Sequence, residues 1–187
     1  MAFKFLGGHV ALDFINTVGG RTHTSANRYS VDRERLENLA DWASEAGIRS
    51  RRSSTTLDRA ITFREALYRL FKAVIEQRRP DPKDSELLNR ELAEARTHEK
   101  LAFVNGVPSF TWDDRDAPEL PLWIIARAAA ELLTSPDIAR VRACGGESCG
   151  WLFLDTSRNR SRQWCDMADC GNIAKVRRFR MKDQSAR

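Results

Sequence analysis

Long apolar runs are absent from this 187-residue chain: no stretch reaches the roughly 18–20 residues that a bilayer-spanning helix needs. No internal repeat or low-complexity segment stands out, and no flexible linker composition separates one part from another. Histidine is scarce. The three present, His9, His23 and His98, stand in no metal-binding or triad-like spacing. His23 falls in a polar loop with Arg21, Thr22, Thr24 and Arg28, read as a surface loop or a cradle for an anion. A phosphate loop, a dinucleotide fingerprint, a nucleophile elbow and a carboxylate pair are all missing. No general base can be assigned, so the chain is not read as an enzyme. Nor does the N-terminus read as a secretory signal, because Asp13 interrupts the apolar part of Met1–Val18 and no small-residue cleavage pattern follows. The expected location is the cytoplasm, where thiols stay reduced.

Cysteine is also sparse, and all four occur in two pairs of equal spacing, Cys144-x4-Cys149 and Cys165-x4-Cys170. A structural zinc fills four tetrahedral positions with protein thiolates or imidazoles, and a short loop lets both thiols of a pair reach one ion. Gly145 and Gly146 loosen the first loop, and Gly150 and Gly171 follow the second cysteine of each pair. Glycine there lets backbone amides turn toward sulfur. The competing arrangements are two disulfides or buried free thiols, and the former conflicts with a reducing compartment. Cys144, Cys149, Cys165 and Cys170 are therefore expected to hold one structural Zn2+. Four thiolates leave no open coordination position, which excludes a catalytic metal.

Charge is as uneven as cysteine. From Asp137 to Arg187, eleven basic residues face six acidic ones, and this +5 is the whole formal excess of the chain. A zinc with four thiolates carries −2, so the loaded module is nearer +3. Such asymmetry suggests a polyanionic partner. Trp151–Leu154 reads as a short buried strand, followed by the turn formers Asp155-Thr156-Ser157. Arg158, Arg160 and Arg162 then alternate with polar residues, a period that puts three guanidinium groups on one face of an extended chain. Trp164 keeps the same parity and is read as a core anchor. A C-terminal helix opens near Asn172. On it Ile173, Val176 and Phe179 share an arc of roughly 120° and are expected to button the helix to the zinc core. Lys175, Arg178 and Lys182 are read on the far side, with Arg177 and Arg180 flanking the arc. The alternative is a solvated helix that only aids solubility.

Before Cys144 the chain reads as mainly helical. Helices are expected over Val10–Val18, from about Val31 to a stop at Gly47, from Thr56 to about Arg78, and from an Asp81 cap with Pro82 to about Thr97. Leu101–Trp112 carries Asn105-Gly106 between apolar alternations, a hairpin signal, with Pro108 marking an edge. An apolar helix over Leu120–Leu133 leads through Ser135-Pro136 into the cysteine region. The expected fold is mainly α with a small β-hairpin (α+β): a helical domain over 1–136, then a four-cysteine module over 137–187. Asp13, Asn16 and Thr17 share a helix face, and with Arg64 they line a ligand pocket or form a satisfied polar network; the sequence leaves both open.

The segment from Cys149 through Cys170-Gly171-Asn172-Ile173 to Arg180 resembles the CGNR zinc finger, with Ile173 at the position of the family's arginine. The preceding part, with Gly8-His-Val-Ala-Leu-Asp13-Phe-Ile-Asn16-Thr17 and Leu39-Ala-Asp-Trp42-Ala-Ser-Glu-Ala-Gly47, resembles ABATE, a module of stress-induced transcription regulators. The resemblance implies a bacterial DNA-binding regulator whose larger domain senses a small-molecule effector or mediates assembly, for instance as a homodimer. Its expected partner is duplex DNA, bound by Arg158, Arg160, Arg162 and the basic helix faces. An RNA- or ribosome-associated zinc protein is the alternative, with Trp151 and Trp164 as stacking platforms, and a module docking on an acidic protein is a third.

Overall fold

Local capping signals decide where most helices begin and end. In the computed structural model, which describes residues 3–21, 33–34 and 36–185, the first helix, α1, spans Val10–Ile15 and gives way to a two-residue strand, β1 (Val18–Gly19), paired with β2 (Arg33–Glu34). The expected helix over Val10–Val18 is thus shorter, because Asn16 turns its side chain to another strand. Helix α2 spans Leu39–Glu45: Asn38 caps it by accepting the Ala40 amide at 2.8 Å, while the expected start near Val31 lies outside the described residues. Gly47, at φ 79°, ends it as expected. Helix α3 spans Thr55–Ile75 and stops three residues before Arg78, because Gln77 turns left-handed at φ 53°. Asp81 accepts the Lys83 amide and starts α4, Pro82–His98. Strands β3 (Glu99–Val104) and β4 (Val107–Trp112) form the expected hairpin around Asn105 and Gly106, both at positive φ. Helix α5 is Leu120–Thr134, after which β5 (Val141–Ala143), β6 (Leu152–Leu154) and α6 (Asn172–Ser185) complete the chain. The fold is mainly α, with three small antiparallel two-stranded sheets among the described residues.

The chain divides into two compact units, and they are not contiguous in sequence. The first holds Leu36–Ile138 with Met1–Phe3; the second joins Lys4–Arg35 to Ala139–Arg187. In the first unit, α3, α4 and α5 pack on one another. Phe63, Leu67 and Phe71 from α3 and Leu122, Ile125 and Ala129 from α5 are all fully buried, and each large one contributes about 1.5–3 kcal/mol of transfer free energy. Arg59 on α3 forks onto Glu91 and Glu94 of α4, and Arg69 forks onto Asp84. No helix among the described residues is long and apolar enough to cross a membrane.

The chain passes from the first unit to the second after Ile138, and the second unit also takes in the N-terminal segment. Helix α1 packs against β6. The hydrogen bonds that attach this segment to the cysteine region are part of the site itself.

Candidate functional site

Strands β5 and β6 pair through Val141↔Leu154, Arg142↔Phe153 and Ala143↔Leu152, so Cys144 leaves one strand and Cys149 comes just before the other. The Cys144 amide donates to the Trp151 carbonyl at 2.7 Å, which closes the loop between them. The second pair is held differently. Asp166 accepts the Ala168 amide at 2.9 Å and starts a π-helical turn, Met167–Gly171, that carries Cys170 straight into α6. All four sulfurs lie within 4.8 Å of one another, and none is in a disulfide. Cys149 Sγ is 3.6 Å from Cys165 Sγ, and Cys165 Sγ is 3.8 Å from Cys170 Sγ. A tetrahedron with metal–sulfur bonds of about 2.3 Å has sulfur–sulfur edges of about 3.8 Å, whereas a disulfide is about 2.05 Å. The spacing is that of ligands around a metal.

Electrostatics points the same way. Hydrogen bonding from Cys149 pushes the Cys144 thiol far down, and the reciprocal contact with Cys144 pushes Cys149 up; Cys165 is also raised, first by Cys144. Sulfurs this close cannot all ionise without a cation among them. The Cys165 amide donates to Cys144 Sγ at 3.3 Å, supplying one backbone dipole to that charge. A Cβ at Gly146 would stand 3.2 Å from Cys170 Sγ, so any larger residue there crowds the cluster. Cys144, Trp151, Phe153 and Cys165 form a buried cluster, with Trp164 packed against it.

The N-terminal segment completes this cluster, a role the sequence reading missed. Leu154 donates its amide to Gly7 at 2.8 Å. The Asn16 amide group exchanges two bonds with Leu152, donating from Nδ2 at 2.8 Å and accepting at Oδ1 at 3.0 Å. Trp151 Nε1 donates to the Val18 carbonyl at 2.7 Å, and the Arg21 amide donates to the Cys149 carbonyl at 3.2 Å. Lys4 pairs with Asp169 on the turn that carries Cys170. Both cysteine pairs are thus tied to residues more than a hundred positions upstream, and nothing local in the sequence announces it.

Asp13, Asn16, Thr17 and Arg64, read as either a ligand pocket or a satisfied polar network, have internal partners. Asn16 is engaged with β6, Thr17 donates its hydroxyl to the Phe14 carbonyl at 2.9 Å, and Asp13 accepts the Gly7 amide at 2.7 Å. Burial pushes the Asp13 carboxyl up to about 6 despite that bond. Arg64 lies in the first unit, buried, and donates to Glu65. Of the loop around His23, only Arg21 lies within the described residues.

The three arginines do not form an extended face. Asp155, fully buried, accepts the Ser157 amide at 2.9 Å and the Arg162 amide at 3.0 Å, and a turn folds between them with Arg160 at φ 50°. Hydrogen bonding from Ser157 holds the Asp155 carboxyl below the usual range. Arg158 and Arg160 are exposed on this turn. Arg162 points inward: it donates to the Trp164 carbonyl at 2.8 Å and to that of Cys165, and its guanidinium lies 4.6 Å over the Phe153 ring. Asp155 was visible in the sequence as a turn former, but its capacity to reorient Arg162 was not.

The expected apolar button under α6 is not there either. Ile173, Val176 and Phe179 are 59%, 42% and 74% exposed. The helix is anchored at its start, by Cys170 and the buried Gly171, and by an ion pair from Arg177 to Glu147 in the first cysteine loop. Lys175, Arg178 and Arg180 are exposed. The side chain of Lys182 lies outside the described residues.

With this geometry in place, two family matches cover nearly the whole chain. Residues 8–136 match the ABATE family, described as “Putative stress-induced transcription regulator”. Residues 140–183 match the CGNR zinc finger. No curated protein matches the chain.

Proposed function

The chain belongs to the ABATE family and carries a CGNR zinc finger, and from that premise we propose that it is a one-component transcription regulator that binds duplex DNA through the cysteine unit. The ion at Cys144, Cys149, Cys165 and Cys170 is zinc: four thiolates at tetrahedral spacing suit it, and a closed site makes it structural. Its chemistry would be to offset half the charge of the four thiolates and lock α6 to the β5–β6 hairpin. Arg158, Arg160, Lys175, Arg178 and Arg180 contact phosphates and base edges. Arg162 and Arg177 hold the array in shape, by the Cys165 carbonyl and Glu147 respectively. The helical unit receives a small-molecule signal or mediates assembly as a homodimer.

The observation that carries this reading is the placement of five exposed cations around one four-sulfur cluster. The RNA reading loses the stacking platforms it relied on, because Trp151 is 6% exposed with its Nε1 bonded and Trp164 packs on the cluster. Fluorescence anisotropy against duplex DNA and structured RNA at matched salt tests the proposal. Five neutralised phosphates predict a slope of log K against log salt near −4 to −5. Binding that ignores salt, or that prefers the RNA, would sink it.

A further inference from the structure

Every side chain from Asn172 to Met181 is at least partly exposed, so along this stretch of α6, a helix of 14 residues about 21 Å long, the apolar side is not buried. Its apolar side chains need an occupant. At about 100° per residue, Ile173, Val176 and Phe179 share one arc, and Arg180 falls inside that arc between Val176 and Ile173. Lys175 flanks it on one side and Arg177 on the other, Arg178 lies on the opposite face, and the one acidic residue of the helix, Asp183, comes after Met181.

The charges choose among occupants. A second copy of α6 would set its five basic residues between Lys175 and Lys182 plus those of its twin against a single acid per helix, Asp183. A bilayer surface wants an unbroken apolar arc with its cations on the opposite face, and here it would have to bury Arg180. The major groove of DNA suits both kinds of side chain at once. It is about 12 Å wide and admits a helix, its guanine edges accept from arginine, and its thymines present a C5 methyl to apolar side chains.

Resting on the DNA-binding reading above, we infer that α6 is a major-groove helix on which Ile173 and Val176 select sequence by packing against thymine methyl groups. Arg180 between them addresses guanine, and Lys175 beside the arc addresses the flanking phosphates. Sequence preference then resides in the apolar residues, and salt dependence in the basic ones.

The test uses the full-length, metal-loaded protein and a duplex enriched on it from a random pool. The same duplex is then synthesised with deoxyuridine in place of thymidine, which removes only the C5 methyls. The native protein should bind the thymidine duplex about fifteenfold more tightly if two methyls are buried, at about fourfold for each. The salt slope should be the same on both. The Ile173→Gln/Val176→Gln variant, altered only at exposed positions, should bind the two duplexes equally with an unchanged slope. Equal, salt-sensitive binding of the native protein to both duplexes overturns the inference and leaves the DNA reading standing. Absence of salt-sensitive binding to either overturns both. Tighter binding to phosphatidylglycerol vesicles than to the thymidine duplex overturns the inference in favour of a membrane surface.

Discussion

Two residues carry the chemistry of the cysteine unit in opposite senses. Cys165 sits at the centre of the cluster, within 3.6 Å of Cys149 Sγ and 3.8 Å of Cys170 Sγ, and it is almost wholly buried. Replacing its sulfur in Cys165→Ser removes one metal ligand and leaves three sulfurs in a space shaped for an ion. Because metal binding supplies folding free energy in such small modules, the variant should lose stoichiometric zinc by elemental analysis. Near-UV signals from Trp151 and Trp164 should collapse with it, while the far-UV helical signal of α3–α5 persists. Zinc retained at one ion per chain would contradict the ligand assignment. Asp13 is the reverse case, a charge held where charge is unfavourable. Its folded pKa of about 6 lies above the unfolded value of 3.8, so the native state favours the protonated form. That stabilisation is complete below pH 3.8 and is lost as pH rises through 6, roughly 3 kcal/mol in all. Between pH 5 and pH 8 the share lost is about 1.5 kcal/mol. Asp13→Asn keeps an oxygen for the Gly7 amide and should flatten this dependence in urea denaturation; an unchanged slope of stability with pH would refute the burial argument.

At the scale of elements, the sequence was most legible where structure is decided locally. The Asp81-Pro82 start of α4, the Asn105-Gly106 hairpin and the Gly47 stop depend on a few adjacent residues, and each stands where those residues place it. The two cysteine pairs were legible for a similar reason, since ligand spacing is a property of short loops. Elements whose form depends on distant partners were not. An arc of apolar residues on α6 says that the helix has an apolar side, not that anything covers it. Alternating Arg158, Arg160 and Arg162 permit a strand, but Asp155 accepts two amides across the intervening residues and folds them into a turn. The Arg162 clamp makes a prediction distinct from DNA contact. Arg162→Ala removes bonds to the Trp164 and Cys165 carbonyls and the stack on Phe153, and should cost about 1–3 kcal/mol of stability. Arg178→Ala, at an exposed position, should leave the unfolding midpoint unchanged and reduce the salt slope of DNA binding by about one. If both variants lowered affinity with unchanged stability, Arg162 would be a direct contact and not a brace.

For the whole molecule, the informative fact is that sequence order and structural units disagree. The ABATE match ends at residue 136 and the zinc-finger match begins at 140, which suggests that the finger is a separable module. The second unit contradicts that separability, because Gly7, Asn16, Val18 and Arg21 bond to Leu154, Leu152, Trp151 and Cys149. These partners are backbone or indole groups, and those of Leu152 are buried, where a lost hydrogen bond costs about 1–3 kcal/mol. A β5–β6 hairpin of three residues a strand is marginal without further partners. The fragment 137–187 should therefore bind Co(II), a spectroscopic stand-in for zinc, at least about tenfold more weakly than the full chain, as expected if even one buried bond of about 1.4 kcal/mol is lost. In the full chain, Asn16→Ala should weaken Co(II) binding in the same direction, because it leaves both Leu152 backbone groups unpaired. Conversely, adding a peptide spanning residues 4–21 to the fragment should recover part of the affinity. Equal Co(II) affinity in fragment and full chain would mean that the metal alone organises the finger, and that the N-terminal segment only rests on it.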